Sequence, residues 1–442
     1  MEYDLTTGEP FKKIINFAFP LLLGNVFQQL YNIVDIAVVS RSLGSNAVAA
    51  IGSTSAIFGL LLSVSQGITN GFSIIVAKTK HNMVQLRKTI NTFISLFFIL
   101  SLLLTLICLC SRKSVIKFLD VPHDILFQSE VYINIITNFI VITFFYNVMS
   151  GLLRGLGNSL VPLIALIFSS LLHIVLDYIL VVYLKKNIES VAYATVISQL
   201  LSGLICLFYF IYKYKFLGFN AKKYFDRRTF FEILSLGLSI VLTMSIVSLS
   251  TVIFQKSINK FDIDIIAACT SARKVEDILI MPLITLSIAT ATYISQNLGV
   301  KNYKRIIQGL RVSFKISFVW SILINISMFF LSKNLIYCIT DSRNMNMVNF
   351  LIYYLRINLP FFFLLSMVLI LRSGLQGVGK KFIPMLSGVT ELCFKFILLF
   401  IPNINYWHII FCDPTVWCIC LVMVCYGFYN WEKSINERNM NL

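Results

Sequence analysis

Charges divide this chain into apolar runs of one recurring length. Twelve stretches, near 14–39, 51–76, 90–110, 131–153, 161–184, 190–212, 232–255, 265–295, 310–332, 348–371, 382–402 and 408–429, are apolar over a membrane-spanning length, for which about 20 helical residues suffice. The eighth is interrupted by charges. Backbone N–H and C=O groups find no water in hydrocarbon and must be satisfied within the segment, which favours helices. Only 13% of residues are charged and mean hydropathy is +0.82, against about 25% charged in ordinary soluble domains. The polar links are short, so no sizeable soluble domain fits between the spans.

The chain also repeats at half its length. Arg154-Gly155-Leu156-Gly157 with Pro162 is echoed by Gln376-Gly377-Val378-Gly379 with Pro384, 222 residues on, each Gly-x-Gly opening an apolar run. Ala49-Ala50 and Arg87 recur as Ala267-Ala268 and Arg305, at an offset of 218. Many carriers are built as two similar bundles around a substrate path. The expected organisation is an N-terminal six-helix lobe over 1–212, a basic linker over 213–231 and a C-terminal six-helix lobe over 232–442.

Orientation follows from Lys and Arg, which are enriched in cytoplasmic loops. A cytoplasmic N-terminus puts 23 of the 37 basic residues inside and 10 outside, so both termini are expected in the cytoplasm of a cell bearing the protein in its plasma (inner) membrane. The net charge of +17 is then positive-inside signal helped by anionic headgroups, and it needs no nucleic acid. The N-terminus lacks a short signal peptide with a cleavage site, so the first span is expected to stay as an anchor. The ten cysteines are scattered and show neither a disulfide framework nor a metal spacing; they read as small free hydrophobes.

Polar groups inside the spans carry the functional signal, because each ionised side chain there costs about 2.5–3.5 kcal/mol on insertion scales. In the first span Gln28, Tyr31, Asn32 and Asp35 share one helical face. The bland reading is an interhelical hydrogen-bond stripe; the functional one is a cation or proton site facing a lumen. In the fifth span His173 and Asp177 are four residues apart, so imidazole and carboxylate can meet and titrate as a unit. Thr195, Ser198, Gln199 and Ser202 in the sixth span, and Gln66, Thr69, Asn70 and Ser73 in the second, add polar faces that could converge on Asp35 and Asp177. Pro20 kinks the first span fifteen residues before Asp35, either as a gate or as a static bend. In the second half Arg273 with Glu276 or Asp277, and Glu391 with Lys395, have the spacing of opposite-charge pairs. Arg356 has no acid nearby in sequence and could meet Glu391 or Asp413 in space.

The order of these motifs resembles the multidrug and toxic compound extrusion (MATE) family over about residues 10–430. The matching stretches run from Pro20 to Asp35, then Arg41-Ser42-Leu43-Gly44, Arg154-Gly155-Leu156-Gly157-Asn158, Leu176-Asp177, Ala194 to Gln199, Gln296-Asn297-Leu298-Gly299, Ser387 to Leu392 and Asp413 to Trp417. The resemblance implies an all-α integral membrane fold, twelve helices in two six-helix lobes related by a pseudo-two-fold axis. It implies export of organic cations against inward H⁺ or Na⁺, with the coupling cluster at Asp35, His173, Asp177 and Thr195. Four places depart from the family: His173 stands where Asn is usual, Lys78-Thr79-Lys80-His81 replaces a small-residue turn, a Gly before the sixth span is replaced around Ser190, and Lys395 stands where Arg is common. Imidazole carries protons well and binds Na⁺ poorly, which favours H⁺; Na⁺ held by Asp35, Asp177 and Thr195 is the alternative.

The expected function is therefore a secondary multidrug antiporter, not an enzyme, with no cofactor. The Gly-x4-Gly-Lys-Ser/Thr loop of ATP-driven machines is missing from the sequence. Gln28, Tyr31, Asn32, Gln66 and Asn70 are the candidate cavity residues, Pro20 the candidate gate, and Arg273, Asp277, Glu391 and Lys395 the secondary charged pairs. The partners are lipophilic organic cations and the bilayer, with the protein a monomer. A flippase for a lipid-linked saccharide or amphiphile is the main alternative, favoured by Arg273, Lys274 and Arg356; a transport-dead membrane receptor or scaffold is the other.

Overall fold

The computed structural model of the chain describes residues 3–118, 121–217, 224–340, 345–401 and 405–440. They form helices and short turns, with no strand among the described residues. In chain order the helices are α1 (Pro10–Leu43), α2 (Ser45–Thr79), α3 (Met83–Phe118), α4 (His123–Asn138), α5 (Ile140–Gly155), α6 (Leu160–Asp177), α7 (Ile188–Tyr214), α8 (Arg227–Ile258), α9 (Ile263–Gly299), α10 (Tyr303–Thr340), α11 (Met345–Asn358), α12 (Phe362–Gly377), α13 (Phe382–Ile397) and α14 (Tyr406–Met440). Eleven helices among the described residues are long and apolar enough to cross a membrane. The bent pair α4 and α5, at 48° across Phe139, makes up to twelve. The eighth span, doubtful in sequence because of its charges, is one continuous helix from Ile265 to Gly299. The fourth, expected as one run over 131–153, is instead two helices meeting at a bend. Its counterpart in the second half is also broken, by the 3₁₀ turn Leu359–Phe361, where Pro360 cannot donate a backbone hydrogen bond.

Contacts sort the chain into two compact units: Met1–Asp4 with Phe19–Val241, and Leu5–Ala18 with Leu242–Leu442. The boundaries fall within helices. The first part of α1 belongs to the second unit, and α8 as far as Val241 belongs to the first. Residues 218–223 of the expected linker lie outside the described residues. Lys113, Lys117, Lys333 and Arg343, which contribute to the outside charge, fall where no side chain or no structure is described.

The repeat is visible atom by atom. Leu156 N–H donates to Leu152 C=O, Gly157 N–H to Arg154 C=O and Asn158 N–H to Leu153 C=O. Val378, Gly379 and Lys380 donate in the same pattern to Gly374, Gln376 and Leu375. Both turns place a glycine in the left-handed region, Gly157 at φ 88° and Gly379 at φ 83°, where a Cβ would crowd the backbone. The preceding glycines permit close helix packing. A Cβ on Gly155 would lie 2.6 Å from Ser73 C=O, and one on Gly377 would lie 3.0 Å from Ala291 C=O. The helix pairs these glycines serve, α2 with α5 and α9 with α12, are the most extensively packed in their units.

Other polar contacts pin the ends of each unit. In the first, Lys78 pairs with Glu232 at 2.8 Å and Lys80 Nζ donates to Tyr3 C=O. Asp226 caps α8 by accepting from Thr229 N–H and Oγ–H. Those donors hold its carboxyl below the usual carboxylate range. In the second unit Arg305 donates to Leu5 C=O and Gly8 C=O, and Leu5 N–H donates to the Gln296 side chain. Arg87, the counterpart of Arg305, holds Phe216 C=O and the Tyr224 hydroxyl in the first unit.

Two substitutions should separate backbone strain from packing. Gly379 has open space around it, so Gly379→Ala is expected to cost about 1–2 kcal/mol, the left-handed penalty alone. Gly155→Ala meets backbone and should cost about 1–3 kcal/mol through displacement of α2 from α5. Melting of the detergent-solubilised variants checks this; a neutral Gly155→Ala would show that the α2–α5 approach is not tight.

Candidate functional site

Three helices of the first unit deliver the cluster. Asp35 stands on α1, His173 and Asp177 on α6, and Thr195 on α7. α6 ends at Asp177 and continues as a π-helical turn, Tyr178–Tyr183, a widened geometry that recurs at functional sites. His173 is 2% exposed and Asp177 1%. The Tyr31 ring meets the imidazole edge-on with centroids 5.4 Å apart. The ligand atoms of Asp35, His173 and Asp177 all lie within 4.8 Å of one another.

Hydrogen-bond direction links the members of this cluster. Thr195 Oγ lies 3.1 Å from both Val191 C=O and His173 Nε2, and its one hydrogen can go to only one of them. With that hydrogen on Val191, a neutral imidazole carries its own on Nε2 and presents a lone pair at Nδ1. Nδ1 lies 3.1 Å from Asp177 Oδ2, yet neither atom is aligned for a hydrogen bond. Asp35 Oδ1 and both carboxylate oxygens of Asp177 are likewise buried with no donor from another residue, and the two carboxyl groups lie close enough to share a hydrogen with each other. Lone pairs this close in a dry site repel unless a positive charge sits among them. Two carboxylates, an imidazole nitrogen and an adjacent hydroxyl can supply that place for a proton or for a metal cation.

The other first-half candidates are distributed less tightly. Gln28 lies beside the Tyr31 hydroxyl, while Asn32 is exposed. Asn70 accepts from Arg154 Nη2 at 3.4 Å, and no hydrogen bond links it or Gln66 to the cluster among the described residues. Gln199 accepts from Thr143, and Ser202 donates to Ser169, so part of the α7 stripe joins helices. Pro20 lies inside α1, two residues past the point where the helix changes unit. Sequence reasoning missed Tyr132, buried on α4, whose hydroxyl bonds Thr195. A single Tyr in an apolar run carries no signal that distinguishes it from a lipid-facing one.

The second unit holds a charged cavity of about 310 Å³. Lys395 lies 3.1 Å from Glu391 and 2.9 Å from Asp413. Arg372, at the end of the tenth apolar run, lines the cavity from α12. Its Nε donates to Ser387 Oγ, and its Nη2 lies 4.0 Å from Glu391. Arg273 pairs with neither Glu276 nor Asp277 within ion-pair distance; its guanidinium lies over the Phe254 ring, 4.4 Å from the centroid. Arg356 meets neither Glu391 nor Asp413, but sits over Phe329.

Up to twelve membrane spans in two units that share turn and packing motifs, with a buried carboxylate–imidazole cluster in one of them, define a multi-pass membrane carrier. The MatE family model matches residues 20–179 and 239–401, and the chain belongs to that family of transporters. It is 26% identical over 436 residues to the "Probable multidrug resistance protein YoeA" of Bacillus subtilis (strain 168), covering 95% of this chain and 93% of that one. It is 23% identical over 407 residues to a "FAD transporter" of Shewanella oneidensis, covering 88% and 86%. Its fold matches a crystal structure of MATE in complex with MaL6 with a TM-score of 0.87 at 21% identity, over 97% of this chain and 98% of that one. A MOP superfamily transporter from Pyrococcus furiosus matches with a TM-score of 0.86 at 22% identity, over 98% and 97%.

Removing one member of the buried charge group exposes its cost. Lys395→Met leaves Glu391 and Asp413 without their shared counter-charge and should destabilise the protein by about 3–5 kcal/mol. Adding Glu391→Gln and Asp413→Asn should recover most of that loss. A melting temperature unchanged by Lys395→Met would mean that the three groups do not form one network.

Proposed function

We propose that this chain is a secondary active multidrug antiporter that exports lipophilic organic cations in exchange for H⁺ by alternating access. The observation that carries this reading is the set of unpartnered lone-pair atoms on Asp35, His173 and Asp177. With both carboxylates ionised and the imidazole neutral, the first unit carries two buried negative charges, and each proton it takes up removes one that would attract an organic cation. Competition for the same carboxylates is what couples two fluxes. A proton taken up from outside fills the site, lowers affinity for the cation and lets it leave. The Nδ1 lone pair of His173 favours H⁺ over Na⁺, a hard ion that prefers oxygen ligands; Na⁺ on Asp35, Asp177 and Thr195 is the alternative.

The distribution of Lys and Arg supports cytoplasmic termini, for a protein read as residing in the plasma membrane. The names of relatives that cover nearly the whole chain support the multidrug reading. A lipid-linked saccharide flippase would want a net basic cavity for pyrophosphate. The cavity of the second unit carries Arg273, Arg372 and Lys395 but also Glu276, Asp277, Glu391 and Asp413, which weighs against it.

Ethidium uptake into inverted membrane vesicles tests the proposal. A pH gradient alone should drive uptake, and Asp35→Asn or Asp177→Asn should reduce it at least tenfold at equal protein. His173→Asn should shift the requirement from a pH gradient towards a Na⁺ gradient. Uptake driven only by Na⁺ in the wild type would overturn proton coupling, and no uptake under either gradient would overturn the antiporter.

A further inference from the structure

In the first unit α3 and α7 both pack on α5, and neither packs extensively on the other. The gap between them is a groove of about 330 Å³ in which every lining residue is apolar. Ile90, Ile94 and Phe98 of α3 face Met149 and Leu152 of α5 and Ile211 of α7. Phe98 and Ile211 are exposed at its edge, so the groove opens at the protein surface. The fold does not demand this lining. At the repeat offset of 218, which pairs Arg87 with Arg305, the lining residues Phe93 and Phe97 correspond to Arg311 and Lys315, and Phe72 to Thr290.

Two basic groups stand at one end of the groove. Arg87 is three residues before Ile90, on the same face of α3. Lys215 is four residues after Ile211, just past the end of α7. The Arg87 guanidinium donates to Phe216 C=O, beside Lys215, and to the Tyr224 hydroxyl, so both cations flank the same mouth. Lys215 is exposed, and among the described residues no carboxylate lies within ion-pair distance of either. Arg87 and Phe98 are eleven residues apart, about 16 Å of helix at 1.5 Å each. That is the hydrocarbon depth of one leaflet, half of about 30 Å. An apolar groove of this depth beneath two uncompensated cations has the polarity of a hydrocarbon chain under an anionic headgroup. A lipophilic cation would be repelled at the same mouth.

We propose that this groove is a binding site for one anionic phospholipid, with an acyl chain between α3 and α7 and the phosphate at Arg87 and Lys215. The lipid belongs to the leaflet on the side of the basic linker. It fills the space between two helices that do not close on each other, and it ties the start of α3 to the end of α7. The site is separate from the cluster of Asp35, His173 and Asp177 and requires no ion gradient, so its failure would not touch the antiport reading, nor the reverse.

Two lipids that share their acyl chains and differ in headgroup charge test it on the full-length protein in detergent. Dioleoyl phosphatidylglycerol and dioleoyl phosphatidylcholine are titrated separately, and the one-lipid adduct is read by native mass spectrometry. The anionic lipid should form that adduct about tenfold or more tightly, the effect of two basic side chains at the mouth. Lys215→Gln should cut this preference by about threefold or more, and adding Arg87→Gln should remove most of what is left. Lys380→Gln, an exposed lysine of the second unit away from the groove, should leave it unchanged. Ile94→Trp puts a larger side chain where the acyl chain lies and should weaken phosphatidylglycerol binding by about fivefold or more. sn-Glycerol 3-phosphate, the headgroup without chains, should not displace the lipid. The preference is a ratio within one protein, and Lys215 is exposed, so the wild type and Lys215→Gln decide the matter if the Arg87 variant does not fold. Equal binding of the two lipids by the wild type, an unchanged preference in Lys215→Gln, unweakened binding in Ile94→Trp, or displacement by glycerol phosphate would overturn the proposal.

Discussion

The dominant constraint on this molecule is the cost of a polar atom in hydrocarbon without a partner. It keeps the backbone helical along the membrane-spanning segments, and it sends hydroxyls back onto the carbonyl one turn earlier, as Thr137, Thr290 and Ser321 do. It also draws Lys395 between two carboxylates. Buried side-chain atoms without a hydrogen-bond partner are scattered singly through both units, as at Ser65, Arg154, Glu276 and Tyr354. Four of them gather where Asp35, His173 and Asp177 meet, and that concentration is why the cluster is read as a place for a ligand.

Helix polarity and tautomer together give the first cluster its character. A single hydroxyl, Thr195, stands between the carbonyl of its own helix and His173 Nε2, and where its hydrogen goes sets which imidazole nitrogen presents a lone pair to the carboxylates. Second-sphere contacts of this kind orient a ligating His without touching the ion it serves. In the second unit Phe254 positions Arg273 in a comparable way, through its π-face.

Much of the architecture was legible in the sequence because it rests on local periodicity. The spans follow from run length, and the repeated Gly-x-Gly turns follow from the φ values that only glycine adopts cheaply. The four-residue spacing of His173 and Asp177 was enough to bring them together on α6. What the sequence withheld depends on tertiary neighbours. Nothing local marks Tyr132 as a partner of Thr195, or Arg372 as lining a cavity. The i+3 and i+4 acids beside Arg273 suggested an ion pair, but an aromatic ring 19 residues earlier, Phe254, captured the guanidinium instead. The bend at Phe139 carries no proline, whereas its counterpart at Pro360 announces itself.

The place where the chain changes unit bears on how such a protein can be divided. It passes from the second unit to the first between Ala18 and Phe19, and back between Val241 and Leu242, both times within a helix. The gene, by contrast, repeats about the basic stretch near residue 220. A cut there would give two fragments of nearly equal length, neither holding all of one unit. The N-terminal fragment would keep Leu5–Ala18, which belongs with the C-terminal unit, and would lack the start of α8. The two sequence halves therefore trade their first helical segments between the units, so neither half alone supplies a whole unit.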